Sequence, residues 1–210
     1  MTKKIRILIV DDHAMVRHGL AQTIGCYPDL ALAGQASNGA QALELYRKHH
    51  PDVVTMDYRL PGRSGIECTA DIRKEFPDAR VILLSIHEGD EDVWRATKAG
   101  ALGYVSKTVE IAEVIAAIRQ VAQGKPYFSA GLAEKVNRHP HGDLLSKREL
   151  EVLREVVAGR SNKEIVDKLQ MSPTRVKRHL ERVFEKLNVA DRTQAVTISI
   201  QRGVVHLDEL

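Results

Sequence analysis

Short apolar runs alternate with longer amphipathic stretches through residues 1–125 of this chain. Parallel strands need a crossover connection, usually a helix, and one strand-plus-helix unit takes roughly 20 to 30 residues. The apolar runs recur at about that interval or at twice that interval. This alternation predicts successive βα units and therefore an open parallel sheet with helices on both faces.

Helical periodicity fills the segments between the apolar runs. The predicted helices are residues 14–25, 40–49, 65–76, 90–99 and 111–123. Five βα units favour a doubly wound parallel sheet of five strands in the flavodoxin-like order, with its switch point between the first and third strands. Ser64 and Glu67 have the spacing of a capping box at the start of the third helix.

A polar residue follows or closes four of the apolar runs. These residues are Asp11 with Asp12, Asp57, Ser85 and Lys107. In an open parallel sheet the carboxyl ends of the strands share one edge, and ligands bind there. We therefore expect three carboxylates, one hydroxyl and one ammonium in a single pocket, with Asp12 and Asp57 facing each other across the switch point.

This set of groups suits phosphoryl transfer. Mg²⁺ prefers oxygen ligands and keeps its remaining coordination positions for water and phosphate oxygens. A carboxylate can act as a nucleophile toward phosphorus and form an aspartyl-phosphate. A metal and a lysine would neutralise charge on the transferring group, and a serine hydroxyl would hold one of its oxygens. The pocket is predicted to accept a phosphoryl group on an aspartate.

Most of these residues, taken singly, also have an ordinary structural interpretation. Asp11 or Asp12 could cap the first helix, and Asp57 could be a polar residue in a turn. Lys107 could be a solvated lysine, and Tyr104, in the short run before Lys107, could be a half-buried aromatic residue. A shared strand edge favours the pocket, because independent structural roles rarely gather at one place.

Composition limits the class of protein. An apolar fraction of 43% with 28% charged residues is ordinary for a soluble globular chain. No apolar run approaches the roughly 20 residues that span a bilayer. With only two cysteines, we expect a cytoplasmic protein that does not act at a membrane. The net charge of +3 lies entirely in residues 126–210, which suggests an anionic partner for that part.

The pattern changes after the fifth predicted helix. We expect a first domain at residues 1–125 that contains the sheet, a linker at 126–143, and a helical domain at 144–210. Four helix starts crowd the last domain, with capping boxes at Ser146 and Ser161 and N-caps at Ser172 and Asp191. These signals predict a small all-α domain of four helices with tight turns.

The third helix of the last domain, residues 173–187, has two distinct faces. Its apolar stripe consists of Val176, Leu180, Val183 and Leu187. Its other side offers candidate DNA contacts at Thr174, Arg175, Lys177, Arg178 and Arg182. Together with the preceding helix and a tight turn, it has the form of a helix-turn-helix, whose second helix enters the major groove. A merely solvated face is the alternative, which Glu181 and Glu185 on the same side favour.

The motifs at the strand ends resemble the receiver domain of bacterial two-component signalling. The matching stretches are residues 9–13, 57–62, 84–85 and 100–107. The resemblance implies Mg²⁺ as cofactor and a sensor histidine kinase as phosphodonor. The implied roles are phosphoacceptor for Asp57, acidic metal ligands for Asp11 and Asp12, backbone-carbonyl metal ligand for Arg59, switch residues for Ser85 and Tyr104, and phosphoryl contact for Lys107.

Residues 144–202 resemble the LuxR-type helix-turn-helix that ends response regulators of the NarL/FixJ subfamily. The matching stretches are residues 145–153, 159–165, 176–179 and 186–189, followed by Arg192 and Ala195. The resemblance implies double-stranded promoter DNA as partner, with Lys177 and Arg178 facing it, and a homodimer contact on the last helix. Arg175 departs from a common threonine, and Glu181 stands where a basic residue often touches DNA.

These features together predict a regulator of transcription that responds to phosphorylation. A histidine kinase or a small phosphodonor would phosphorylate Asp57, and the altered surface would release or dimerise the C-terminal domain. Arg59 and His87, two residues beyond Asp57 and Ser85, are predicted to lie at the pocket rim and to tune the lifetime of the phosphoryl group.

Two other classes of protein use some of the same features. A phosphatase of the haloacid dehalogenase type also has an aspartate nucleophile and Mg²⁺, but it needs a second aspartate where this chain has Arg59. A receiver whose helical tail binds a protein partner is the other alternative. Salt dependence separates that alternative from DNA binding, because phosphate contacts release counterions.

Overall fold

The computed structural model describes residues 3–134 and 145–207, which form two compact units. The first unit contains a parallel sheet, and the second contains four C-terminal helices. Across the residues that the structure describes, no helix combines the length and the apolar character needed to cross a bilayer.

Six strands form one parallel sheet in the first unit. They are β1 (Ile5–Val10), β2 (Leu30–Ala36), β3 (Val53–Asp57), β6 (Val81–Ser85), β7 (Gly103–Ser106) and β8 (Tyr127–Phe128), in the spatial order β2-β1-β3-β6-β7-β8. The first five have the predicted order, and the switch point between β1 and β3 is confirmed. A small antiparallel pair, β4 (Arg59–Leu60) and β5 (Arg63–Ser64), lies between β3 and the third helix.

Five helices connect the strands of this sheet. They are α1 (Ala14–Gly25), α2 (Gly39–His49), α3 (Gly65–Glu75), α4 (Asp90–Lys98) and α5 (Ile111–Ala122). Leu8 and Val10 belong to one apolar cluster, whereas Ile7 and Ile9 belong to a second. Successive side chains of a strand point to opposite faces, so β1 contributes to a core on each side of the sheet. The doubly wound fold is therefore confirmed.

The expectation of five strands is wrong by one. Tyr127–Phe128, which falls in the predicted linker, adds a sixth parallel strand beside β7. Tyr127 N donates to Leu102 O at 3.0 Å, and Ser129 N donates to Tyr104 O at 3.1 Å. Two residues are too few to give a periodic signal in the sequence. The rest of the predicted linker lies partly outside the described residues, which stop at 134 and resume at 145.

The second unit has the four predicted helices. They are α6 (Lys147–Val157), α7 (Asn162–Leu169), α8 (Pro173–Leu187) and α9 (Arg192–Gln201). The four predicted N-caps are confirmed, because each side chain accepts a hydrogen bond from a backbone N–H of the first turn; they are Ser146, Ser161, Ser172 and Asp191. Ser146 and Ser161 also form the predicted capping boxes.

The apolar stripe of α8 supplies the centre of the helical unit. All four of its residues are buried, and they pack in two clusters with side chains of the other three helices. Arg192 at the start of α9 also forms hydrogen bonds with the end of α6 and the segment that follows it, because its guanidinium donates to the backbone carbonyls of Val156 and Arg160. Burial of the apolar stripe leaves the opposite, charged face of α8 toward solvent.

Candidate functional site

Three carboxylates meet at the carboxyl edge of β1 and β3. These strands are paired with Val10 beside Met56, so Asp11 and Asp57 emerge next to each other. Ligand atoms of Asp11, Asp12, His13 and Asp57 all lie within 4.8 Å of one another. Asp11 and Asp57 are buried, with relative exposures of 2% and 4%, whereas Asp12 is exposed. The structure therefore brings Asp11, Asp12 and Asp57 together as predicted.

Lys107 joins two of these carboxylates. Its Nζ lies 2.7 Å from Asp11 Oδ2 and 2.8 Å from Asp57 Oδ2. The lysine follows β7, whose alignment with β6 lets Lys107 N donate to Ser85 O at 2.8 Å. The side chain of Lys107 is only 21% exposed. Its interpretation as an ordinary solvated lysine is therefore wrong.

Burial and charge act in opposite directions on the Asp57–Lys107 pair. Burial raises the pKa of Asp57, and the hydrogen bond from Lys107 only partly opposes that increase. Burial lowers the pKa of Lys107, but its hydrogen bonds to Asp11 and Asp57 outweigh burial and raise that pKa overall. Lys107 is consequently held as an ammonium, which can offset negative charge at the Asp57 carboxylate.

The backbone around Asp57 is held by the start of α3. Gly65 N donates to Tyr58 O at 2.7 Å, and Tyr58 N donates to Leu84 O at 2.9 Å. A Cβ at position 65 would lie well inside contact distance of the Asp57 carbonyl oxygen. Glycine is therefore required for α3 to approach the end of β3 this closely.

Ser85 and Tyr104 are linked through one residue of the loop after β6. His87 N donates to Ser85 Oγ at 2.9 Å, and the Tyr104 hydroxyl donates to His87 O at 2.7 Å. Tyr104 has a relative exposure of 0%, so it is more deeply buried than the half-buried alternative supposed. The His87 ring also packs edge-on against Tyr58, with centroids 5.8 Å apart. Both predicted switch residues thus contact His87.

Arg59 and His13 complete the description of the pocket residues. Arg59 N lies 3.3 Å from Asp57 Oδ1, which it reaches as a backbone donor. His13 is the N-cap of α1 without a side-chain capping bond, and its Nδ1 lies 2.8 Å from Asp12 Oδ1. Neither aspartate caps α1, so the simple capping interpretation is wrong. His13 lies in the matching stretch 9–13, but its contact with Asp12 is not predictable, because the direction of a side chain is not visible in sequence.

The donor set fits a hard divalent cation. Three carboxylates are the oxygen ligands that Mg²⁺ prefers, and their spread is close to the roughly 4 Å between opposite ligands of an ion with bonds of about 2.1 Å. Asp12 follows β1 and Asp57 ends β3, the two strands on either side of the switch point. The residues present could therefore hold Mg²⁺ beside the Asp57 carboxylate.

The predicted DNA-contacting residues lie on α8. Thr174, Arg175, Lys177, Arg178 and Arg182 are all exposed. Glu181 and Glu185 are exposed as well. The helix begins at Pro173 after the Ser172 cap, so four of the five candidates lie in its first two turns. Such a helix can present cationic groups and a helix N-terminus to a polyanion.

Two family models match the chain, and together they cover most of it. The response regulator receiver domain matches residues 7–119. The luxR family of bacterial regulatory proteins matches residues 143–199. The first match contains the pocket at the strand edge, and the second contains α6 to α9 up to Ser199.

Relatives match over nearly the full length. The transcriptional regulatory protein LiaR of Bacillus subtilis is 38% identical over 211 residues, covering 96% of this chain and 100% of LiaR. The probable transcriptional regulatory protein NarL of Mycobacterium tuberculosis is 34% identical over 209 residues, covering 97% of each chain. The order of the two parts is therefore shared with regulators of transcription.

Solved structures of response regulators share this architecture. The response regulator ChrA of a heme-sensing two-component system is 29% identical, with a TM-score of 0.55 over 96% of this chain and 99% of ChrA. A structure of the response regulator RcsB with DNA has a TM-score of 0.66 over 93% of this chain and 98% of RcsB. At 21% identity, the RcsB likeness supports the fold alone.

A receiver fold with an acidic strand edge, followed by a four-helix unit with a helix-turn-helix, defines a class of signalling regulators. This chain belongs to the response regulators that join a receiver domain to a LuxR-type DNA-binding domain. Its function as a DNA-binding response regulator that controls transcription agrees with the expectation from sequence.

Proposed function

We propose that Asp57 is the phosphoacceptor and that its phosphorylation controls DNA binding by the C-terminal unit. The observation that carries this proposal is the position of Asp57, buried at the strand edge between Arg59 N and the Lys107 ammonium. A buried carboxylate with a fixed cation beside it can receive a dianionic group without leaving its charge uncompensated.

The transfer is a displacement at phosphorus. A carboxylate oxygen of Asp57 attacks, and the bond from phosphorus to an imidazole nitrogen of a histidine kinase, or to the acyl oxygen of a small phosphodonor, breaks. The bonding electron pair leaves with the donor. Lys107, which lies 2.8 Å from Asp57 Oδ2, would contact an oxygen of the transferred group. The Ser85 hydroxyl would hold another oxygen.

Mg²⁺ would be held by Asp11, Asp12, Asp57 and the backbone carbonyl of Arg59. When bound, it would neutralise charge on the phosphoryl oxygens. The Lys107 ammonium contacts both Asp11 and Asp57, so it keeps these two carboxylates close together despite their like charge. The carboxylates are thereby held together before a phosphodonor arrives, with the ammonium in competition with a cation for their oxygens.

The switch would run through the contacts of His87. A phosphoryl group that draws the Ser85 hydroxyl toward it would compete with the bond from His87 N, and His87 O holds the Tyr104 hydroxyl. A change at Ser85 would therefore bias the packing of Tyr104. Arg59 and His87 would also tune the lifetime of the phosphoryl group. A double substitution of these two residues that leaves the dephosphorylation rate unchanged would contradict that role.

The DNA-binding part of the proposal concerns α8. Thr174, Arg175, Lys177, Arg178 and Arg182 would face double-stranded promoter DNA, with the first two turns nearest the base edges. A homodimer formed through α9 on activation would suit inverted half-sites about one helical turn apart. The corresponding parts of the chain would be a receiver of residues 1–125 extended by β8, a linker up to residue 143, and a DNA-binding domain of residues 144–210.

The proposed chemistry is limited to the protein's own aspartate. Arg59 stands where a haloacid dehalogenase-type phosphatase needs an acid/base aspartate, so we propose self-phosphorylation and self-dephosphorylation without turnover of another substrate. Because its partners would be a kinase and the chromosome, we propose that the protein acts in the cytoplasm.

DNA affinity of the full chain tests the proposal. Affinity for promoter DNA is measured with and without a small acyl phosphate and Mg²⁺, at two salt concentrations, for the wild type and Asp57→Ala. We expect phosphodonor to raise the affinity of the wild type alone, and added salt to weaken binding steeply. An equal response of both proteins to phosphodonor would refute the assignment of Asp57 as the phosphoacceptor. Salt-insensitive binding would favour a protein partner instead of DNA.

A further inference from the structure

A cationic cleft opens in the helical unit beside the start of α8. Its volume is about 330 Å³, and the residues that line it include Arg148, Gln170, Met171, Arg175, Arg178 and His179. Arg148 comes from the first turn of α6, Gln170 and Met171 from the turn before α8, and the others from α8 itself. The cleft therefore combines three arginines from two helices that are separated in sequence.

The charge of this cleft is strongly positive. Arg148, Arg175 and Arg178 line it, and none of its lining residues is acidic. One nitrogen of Arg148 lies 2.7 Å from Glu151 Oε2. That pair is exposed to water and is therefore weak. A guanidinium has five N–H donors, so Arg148 keeps donors for a further acceptor.

His179 supplies a separate reason to expect a ligand. Its Nδ1 is a buried atom, and it has no hydrogen-bond partner among the residues that the structure describes. Leaving a buried polar atom without a partner is costly, so a ligand that reaches this atom would gain by satisfying it. His179 lines the cleft together with three guanidiniums, and those guanidiniums favour an anion with several acceptor oxygens.

The N-terminus of α8 also favours an anion in this cleft. The helix has 15 residues and begins at Pro173, next to the turn that lines the cleft. Free backbone N–H groups and the macrodipole make a helix N-terminus favourable for an anion. Arginine is also the residue best suited to bidentate contact with phosphate oxygens.

We propose that this cleft binds a phosphate group, and that its ligand is a backbone phosphate of duplex DNA. The inference rests on the proposed DNA-binding role of α8 and adds Arg148, on α6, as a contact outside that helix. Arg175 and Arg178 already belong to the predicted DNA-facing set, so DNA seated on them would bring its backbone to the cleft. Arg175, which departs from the usual threonine of the family, thereby gains a phosphate-binding role.

The salt dependence of DNA binding tests this assignment. Affinity of the full chain for a short duplex of mixed sequence is measured over a range of salt concentrations, for the wild type, Arg148→Ala and Lys147→Ala. Lys147 is the matched control, because it is exposed on the same turn, carries the same charge, and is absent from the lining of the cleft. Chemical unfolding of each variant verifies that the helical unit is intact.

We expect Arg148→Ala to reduce the slope of log affinity against log salt by about 0.9, the value for one lost phosphate contact. Lys147→Ala should leave the slope near that of the wild type. Equal slopes for Arg148→Ala and the wild type would overturn the proposal, as would equal reductions in both variants, which indicate a general field effect. A wild type that binds no DNA would instead refute the DNA-binding role itself.

A second measurement distinguishes DNA from a free phosphate compound. The imidazole resonance of His179 is followed by NMR as inorganic phosphate is added to the full chain and to Arg148→Ala. A response that requires Arg148, together with the reduced salt slope, supports one phosphate site used by DNA. A response that requires Arg148 without any change in the salt slope would overturn the DNA assignment in favour of a small phosphate ligand.

Discussion

The hydroxyl of Tyr104 donates a hydrogen bond to the backbone carbonyl of His87 at 2.7 Å. This bond joins the fully buried aromatic residue of β7 to the loop that follows β6. The same loop reaches Ser85 through the bond from His87 N to Ser85 Oγ. The proposed switch uses this contact between Tyr104 and His87 to connect the pocket with the packing of the core.

Tyr104→Phe should destabilise the first unit by about 1–2 kcal/mol, because it removes the hydroxyl and leaves the His87 carbonyl without that donor. The measurement is the free energy of unfolding in urea. Tyr27→Phe is the control, since the Tyr27 ring packs against the Arg119 guanidinium at 5.0 Å and keeps most of that contact as phenylalanine. We expect a loss below about 0.5 kcal/mol for the control. Equal losses in the two variants would argue against a specific role for the Tyr104 hydroxyl.

Gly65→Ala should displace the end of β3 that carries Asp57. The added Cβ would overlap the Asp57 carbonyl oxygen, and overpacking of this kind costs about 1–3 kcal/mol. We expect a lower free energy of unfolding together with slower phosphorylation. Gly19→Ala in α1 is the control, because among the described residues no atom beyond its chain neighbours and its own helix backbone lies within 4 Å of the added Cβ, and alanine favours a helix interior by roughly 0.5–1 kcal/mol. Normal phosphorylation of a stably folded Gly65→Ala protein would contradict the positioning role.

Glu149 and Glu164 occupy the same capping-box position in two helices, but only Glu149 is buried with a lysine partner. Glu149 Oε2 accepts from Ser146 N at 2.7 Å and lies 3.0 Å from Lys186 Nζ. Glu149→Gln should lower the free energy of unfolding of the helical unit by about 1.5–3 kcal/mol, because hydrogen bonds to a charged group are lost. Glu164→Gln, at an exposed site, should have a smaller effect. An equal effect of both substitutions would show that the buried ion pair between Glu149 and Lys186 adds nothing to the free energy of unfolding.

Glu149 also predicts how stability depends on pH. Burial alone would raise the pKa of Glu149, but hydrogen bonds from Ser146 and Lys186 outweigh burial and lower that pKa below its usual value. Because the pKa is lower in the folded state, ionised Glu149 stabilises the protein at pH values above its unfolded pKa of about 4.3. This contribution to stability is lost as pH falls through the folded pKa. Unfolding curves from pH 6 downward should therefore show a loss of stability below about pH 5 that is smaller in Glu149→Gln. Identical pH profiles would contradict this contribution.

Lys107→Met should increase the affinity for Mg²⁺ several-fold while slowing phosphotransfer. The ammonium now neutralises Asp11 and Asp57, so its loss leaves two buried carboxylates that favour a divalent cation. Calorimetric titration with Mg²⁺ measures the affinity. Lys74→Met, at an exposed position on α3, is the control and should behave as the wild type does. Unchanged Mg²⁺ binding in Lys107→Met would show that the lysine does not compete for these carboxylates.

The sequence was sufficient to predict the parallel sheet and the residues at its edge. Asp57 and Ser85 end apolar runs, and the shared edge of parallel strands brings such residues together whatever the intervening helices contain. The caps at Ser146, Ser161 and Ser172 were equally predictable, because a cap depends on residues that are close in sequence.

Other features depend on contacts that a linear pattern does not record. Tyr127–Phe128 is too short for a periodic signal, and its place in the sheet depends on the close approach of Gly103. The convergence of Arg148 with Arg175 results from the packing of α6 against α8. The link from Ser85 to Tyr104 through His87 uses backbone atoms, which carry no signal of residue type.

The most direct measurement is the mass of the intact full chain after incubation with a small acyl phosphate and Mg²⁺, compared with that of Asp57→Ala. The account predicts one acid-stable but base-labile phosphoryl group on the wild type, located at Asp57 by peptide mapping, and none on the variant. A phosphoryl group of the same stoichiometry on Asp57→Ala, or none on the wild type while its fold is intact, would contradict it.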